Sequence, residues 1–157
     1  MAQDRITYGR RRGHDKLRFT FPVGASEIFK QAGSSFVIDD ASGRIEIAAA
    51  GETNIIGAAL LNADLTASAT EGATKAEVDM SYESVYEVPI ITGIWADTMR
   101  GKTCDLVVSS DKQGVDLEAS GEDVVQLIDK ATTNPAGTVV SVLVRLVPAK
   151  LTYTGVA

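Results

Sequence analysis

One cysteine, one histidine, one tryptophan and four prolines in 157 residues leave several chemistries without the residues they need. A lone Cys104 forbids an intramolecular disulfide. It lies in the apolar row Cys104, Leu106, Val108, which makes it a small core residue rather than a nucleophile. His14 stands alone, with no partner for a catalytic dyad and no companions for a zinc site. Aromatic residues are 6% of the chain against 45% hydrophobic, so Ala, Val and Ile carry the apolar content. That composition suits a tightly packed β core better than an aromatic-lined ligand pocket. No apolar run approaches the roughly 18 residues of a spanning helix, and no apolar stretch follows the basic start as in a secretory signal. The expectation is a soluble protein, made in a reducing compartment, with no membrane partner.

Charge of one sign is scarce in one place and abundant in another. Residues 1–30 hold Arg5, Arg10, Arg11, Arg12, Lys16, Arg18 and Lys30 against Asp4, Asp15 and Glu27, a net of +4. The whole chain carries −6, so the remainder carries −10. A basic arm on an acidic body points to an anionic partner for the arm. Nucleic acid, an acidic protein surface, or the body of a neighbouring copy would each serve. Tyr8, among Arg5 and Arg10–Arg12, could stack or make cation–π contacts with any of them. A nucleic-acid barrel would also show a basic face with aromatic platforms on its strands, and the acidic body argues against that partner.

The body reads as strands. In Thr138–Leu146 the residues Val140, Val142, Val144 and Leu146 fall on one face, and Ser141 and Arg145 on the other. Cys104–Val108 and Val115–Leu117 alternate similarly around Asp111-Lys112-Gln113-Gly114, a predicted hairpin turn with Gly114 left-handed. These runs predict a meander. Phe36–Ile38 and Arg44–Ile47 flank Asp39–Gly43 as a second hairpin. Ile55–Leu61 reads as a buried strand whose small residues allow close backbone approach. Leu17–Phe21, Ala76–Met80 and Val85–Ile91 are further strands, the last held to an edge or a bulge by Pro89. Ala63–Lys75 reads as a loop, Ser26–Gly33 as one helical turn stopped by Gly33, and Val124–Asp129 as strand in preference to short helix. The predicted fold is mainly β, a small antiparallel β-barrel or sandwich with an extended basic N-terminal arm. Residues 1–35 form the arm and lead-in, 36–150 the body and 151–157 a tail.

Ala96-Asp97-Thr98-Met99-Arg100-Gly101-Lys102-Thr103 fits a P-loop if Ala replaces the first Gly. The chemistry needs a helix after the loop to cradle phosphates, and here a strand-like run follows at once. A turn before a strand is the expected structure. Asp39-Asp40 could offer oxygens to calcium, although a solvated hairpin turn needs the same residues. Scattered carboxylates alternate outward as a solvated face, so no acid pair stands out for glycoside chemistry. Trp95 is a core plug or an interface anchor. No catalytic residue, cofactor or metal ligand emerges.

Several segments taken together have a familiar cast. They are Ile56-Gly57-Ala58-Ala59-Leu60, Tyr86-Glu87-Val88-Pro89-Ile90, Gly101-Lys102 leading a strand, and the closing Gly137–Leu146 run. Through them the chain from about Ile45 to Leu146 resembles the small β-barrel decoration (cement) proteins on the heads of tailed bacteriophages. The resemblance implies a homotrimer on the capsid lattice that binds the major capsid protein through exposed loops and the arm, and catalyses nothing. It implies a virion location and a role in clamping neighbouring capsid subunits against internal pressure. Arg5, Tyr8, Arg10, Arg11, Arg12, Lys16 and Arg18 are then the expected capsid-binding residues. The arm is longer and more charged here than in the simplest members. A nucleic-acid-binding barrel, or another virion component such as a tail-tube or adaptor subunit, is the alternative.

Overall fold

The computed structural model describes residues 9–12 (as backbone), 18–31, 35–40, 42–81, 83–119 and 121–147. The strands, in chain order, are β1 (Gly9–Arg12), β2 (Arg18–Pro22), β3 (Ile28–Phe29), β4 (Phe36–Asp39), β5 (Ile45–Ile47), β6 (Ile55–Ala59) and β7 (Leu65–Thr66). They continue with β8 (Lys75–Asp79), β9 (Val85–Thr92), β10 (Thr103–Ser109), β11 (Lys112–Asp116), β12 (Val125–Thr133) and β13 (Val139–Leu146). The only helical element among the described residues is the single 3-10 turn Asp97–Met99. The chain is mainly β, as the alternation predicts.

Five strands close a ring in the order β9-β11-β10-β12-β13 and back to β9. All neighbours are antiparallel except β9 and β11, which run parallel. The expected meander is therefore corrected: β10 lies between β11 and β12, and β11 crosses to β9 to shut the ring. Gly114 does not make the hairpin turn either. Ser110 and Asp111 do, at φ +50° and +61°, a two-residue loop in which both residues are left-handed. Gly114 lies inside β11 because a Cβ there would sit 2.4 Å from the Pro89 carbonyl oxygen. Its absence of a side chain lets the parallel pair form. Pro89 is not at an edge; β9 is paired on both sides, and the pairing with β11 skips a residue beside it, between Ile90 and Thr92.

The other strands form a sheet in the order β2-β8-β6-β4-β5, with β3 and β7 as a separate ribbon. The sheet curls until Val23, just past β2, makes one bridge to Ile45 of β5. Gly57 serves β6 as Gly114 serves β11: a Cβ would lie 2.2 Å from the Asp79 carbonyl oxygen, so β8 packs against bare backbone. The predicted helical turn at Ser26–Gly33 is overturned. Ile28 and Phe29 pair with Thr66 and Leu65, and burying Phe29 under the sheet outweighs a weak local helix signal. Residues 32–34, which include Gly33, lie outside the described residues. The predicted loop at Ala63–Lys75 correspondingly contains β7.

Alternation along β4 divides the interior in two. Phe36 enters the core shared with the ring, beside Tyr86, Val88, Leu106, Val115 and Val144, whereas Val37 enters a second core with Val23, Phe29, Ile45 and Val78. A sheet covered on both faces explains why Ile55–Ala59 reads as an unbroken apolar run. Phe36 meets Tyr86 edge to face, with ring centroids 5.1 Å apart at 81°. Between the two layers lies Gln113, fully buried. Its Oε1 accepts the Phe36 N–H at 2.8 Å, and its Nε2 donates to the carbonyls of Phe36 at 3.1 Å and Ala48 at 2.7 Å. One amide thus meets three backbone groups, of which the Phe36 N–H and the Ala48 carbonyl depend on it, while the Phe36 carbonyl also accepts the Ala48 N–H.

Candidate interaction surface

The arginine-rich segment is laid on the body. β1 pairs antiparallel with β9, Gly9 opposite Glu87, Arg10 opposite Tyr86 and Arg12 opposite Val85, with an irregularity between Arg10 and Arg12. β13 uses one edge of β9 from Tyr86 to Pro89. On the other edge β11 reaches only Ile90 and Thr92, so β1 supplies the partner that β11 is too short to provide at Val85–Glu87. Arg10, Arg11 and Arg12 are thereby brought to the ring. Arg5, Tyr8 and Lys16 lie outside the described residues. Arg18 opens β2, ion-paired to Glu77 and half-exposed. From Arg18 onward the expected lead-in is part of the body, since β2 pairs with β8 over five residues and Val23 and Phe29 are buried.

Two carboxylates expected on a solvated face are buried instead. Asp79 on β8 and Glu87 on β9 are 0% and 4% exposed. Asp79 accepts the Ser81 N–H at 2.9 Å and the Ser84 hydroxyl at 2.6 Å. Glu87 accepts the hydroxyls of Thr132 at 2.6 Å and Ser141 at 2.7 Å, which is why Ser141, read as outward, is itself buried. Each carboxylate stands opposite the basic segment in strand register, Arg18 across from Asp79 and Gly9 across from Glu87. Strand alternation alone cannot reveal this, because the strand that covers an outward carboxylate is remote in sequence.

Glu46 lies among Glu27, Asp40, Glu52 and Glu71; partial burial, and then the repulsion of these four carboxylates, raise its carboxyl above the usual range. Arg44 is paired with Glu71 at 3.1 Å and Lys30 with Asp64 at 3.6 Å. In the Asp39–Gly43 turn the oxygens are occupied by the loop itself: Asp40 accepts the amides of Ser42 and Arg44, and Asp39 that of Gly43. On β10, Asp105 accepts the amides of Gly121, Glu122 and Asp123, at 2.8–3.0 Å. Among the described residues no group of three His, Cys, Asp or Glu side chains is placed to hold a metal. Cys104 is buried, and its thiol is pushed up to about 12 by burial and by Asp105, Asp116 and Asp123.

The P-loop look-alike is the entry to the ring. After the Asp97–Met99 turn, Gly101 takes φ +79° and Thr103 begins β10, so no helix N-terminus faces the loop. Trp95 is 9% exposed and belongs to the core. Its Nε1 donates to Asp97 at 3.1 Å, and the Arg100 guanidinium lies 6.0 Å from its ring centroid while pairing with Asp97 at 3.3 Å and Asp129 at 2.9 Å. These contacts form a latch between the turn before β10 and β12. An open groove of about 490 Å³ runs beside it, lined by Glu83, Val85, Gly101, Gln126, Leu127, Ile128 and Arg145. Gln126 donates to the Gly101 carbonyl and accepts from Arg145.

Sequence reasoning missed two exposed apolar side chains. Phe19 on β2 is 49% exposed and Ile94 is 80% exposed on the loop fixed by Gly93 at φ +90°. Gly93-Ile94 in front of a buried Trp was the available signal for the second. Comparisons with protein-family models, with curated proteins and with solved structures return no match.

Proposed function

We propose that the protein is a non-enzymatic structural component of a phage virion, bound to the outer surface of the capsid and stabilising contacts between its subunits. The observation that carries the reading is the basic strand β1, laid by backbone pairing along a closed, acidic ring. A cement protein needs a body that does not deform and a segment of opposite charge that crosses a subunit boundary. Many copies on a lattice then give avidity without high single-site affinity. In this reading the partner is the major capsid protein, the protein is a homotrimer on the capsid lattice, and Arg5, Tyr8, Arg10–Arg12, Lys16 and Arg18 meet acidic capsid surface. The protein is made in the host cytoplasm and resides on the head.

The test is occupancy on heads. A chain lacking residues 1–15 should keep its β-sheet circular dichroism and lose at least about tenfold in head binding. Full occupancy by the truncated chain would defeat the reading.

A five-stranded ring beside a basic strand also favours, more weakly, a single-stranded nucleic-acid binder. Phe19 is the only exposed aromatic among the described large hydrophobic residues, so stacking platforms are few. A DNA or RNA affinity falling steeply with salt would favour this second reading; no binding at low salt would end it.

A further inference from the structure

We infer that β1 is an exchangeable strand, and that in the assembled protein the Val85–Glu87 edge of β9 receives the β1 of a neighbouring copy. The inference deepens the proposed function and rests on it only for the lattice setting.

One edge of β9 is only partly covered by the rest of the ring. β11 covers β9 at Ile90 and Thr92 and no further, so without β1 the backbone groups at Val85–Glu87 on that side have no strand partner. An open edge of this kind is a template for another chain. β1 fills it by antiparallel strand pairing, in three register pairs interrupted by an irregularity. Pairing through the backbone does not distinguish one copy's arm from another's. Exchanging arms around a closed set of copies therefore preserves every β1–β9 hydrogen bond, and the cost reduces to bringing the copies together.

A further feature favours the neighbour. The first thirty residues carry +4 and the rest −10, so an arm is attracted to any copy's body. Where copies are held side by side, local concentration offsets the entropy of association.

The test uses full-length chains with one introduced cysteine each. Arg12→Cys is placed in a tagged chain and Val85→Cys in an untagged one, positions that face each other across β1 and β9. Cys104 is buried and stays out of the reaction. The two chains are mixed, allowed to assemble, and oxidised mildly. Exchange predicts a tagged–untagged disulfide several-fold in excess of either like-with-like dimer, and covalent multimers from the chain carrying both substitutions. A double variant that closes only within its own chain overturns the inference. So does the absence of any Arg12→Cys to Val85→Cys linkage, since β1 would then not occupy this edge at all. Head binding is scored on the unsubstituted chain, because Arg12 is itself an expected capsid contact. Internal linkage together with coated heads removes strand exchange and keeps the capsid reading; linkage in trans together with bare heads does the reverse.

Discussion

Each of the five ring strands has a hydrogen-bonded neighbour on both sides, whereas the sheet beside it is drawn shut by a single bridge from Val23 to Ile45. The ring encloses Tyr86, Val88, Leu106, Val115 and Val144 and leaves no free edge along its pairings except where β1 joins β9. The sheet encloses a smaller core around Phe29 and Val78 and ends in β2, whose Arg18, Phe19 and Thr20 are all exposed. Full closure removes sites for strand addition, and incomplete closure keeps them. The interaction-prone features of this chain accordingly gather where closure is incomplete: β1 at the uncovered part of β9, and Arg18 and Phe19 on β2.

The sharpest way to break the contrast is to force each closure open. Gly114→Ala would drive a Cβ into the Pro89 carbonyl across β11 and β9, and Gly57→Ala into the Asp79 carbonyl across β6 and β8. Each should cost about 3–4 kcal/mol in urea denaturation, because backbone rather than a flexible side chain is in the way. Gly101→Ala is the control. At φ +79° with nothing within 4 Å of a Cβ, it should cost only about 1 kcal/mol of backbone strain. Equal small losses at all three positions would mean that the close strand approaches do not hold the molecule together.

Gln113→Leu tests the joint between ring and sheet. It strands the Phe36 N–H and the Ala48 carbonyl, while the Phe36 carbonyl keeps the Ala48 N–H at 2.9 Å. A loss of about 2–3 kcal/mol is expected, and a fall in Tm of about 5–10 °C. An unchanged Tm would show the two layers to be joined by apolar contact alone.

The smallest effect separates the two regions by pH. Glu46, on the sheet, has a raised folded pKa, so the folded state holds its proton more tightly and this site's penalty grows as pH rises through the window above 4.5. Glu46→Gln should therefore stabilise at neutral pH, with the gain vanishing once the pH falls below that window. The latch on the ring has the opposite sign. Hydrogen bonds from Trp95 to Asp97 and from Arg100 to Asp129 lower both carboxyls, so their contribution is present above about 3.8 and is lost as pH falls below it. Melting curves of wild type, Glu46→Gln and Arg100→Gln between pH 3 and 7 would register both slopes; parallel curves would contradict the assignment.

Much of this fold was legible in local pattern. Alternation in Val142–Leu146 and Cys104–Leu106, the Asp39–Gly43 turn, and the small residues of Ile55–Ala59 each mark their element, because each reflects neighbours on its own strand or the next. What escaped depended on strands distant in sequence. Gly114 carries turn chemistry, yet the close approach of β9 dictates it. Ile28-Phe29 takes its strand form from β7, some 35 residues on. Glu87 looks like a surface carboxylate until Thr132 and Ser141 close over it. The candidate surface was legible only as charge: the cluster Arg10–Arg12 pointed to an interaction, but its register on β9 rests on backbone pairing that no side-chain pattern encodes.

Immunogold electron microscopy of particles from the source lysate would test the proposed place on the capsid. A protein bound to the capsid surface gives label in a regular array over heads, absent from tails and from free debris. Label confined to tails, or no particle label at all, would contradict that placement.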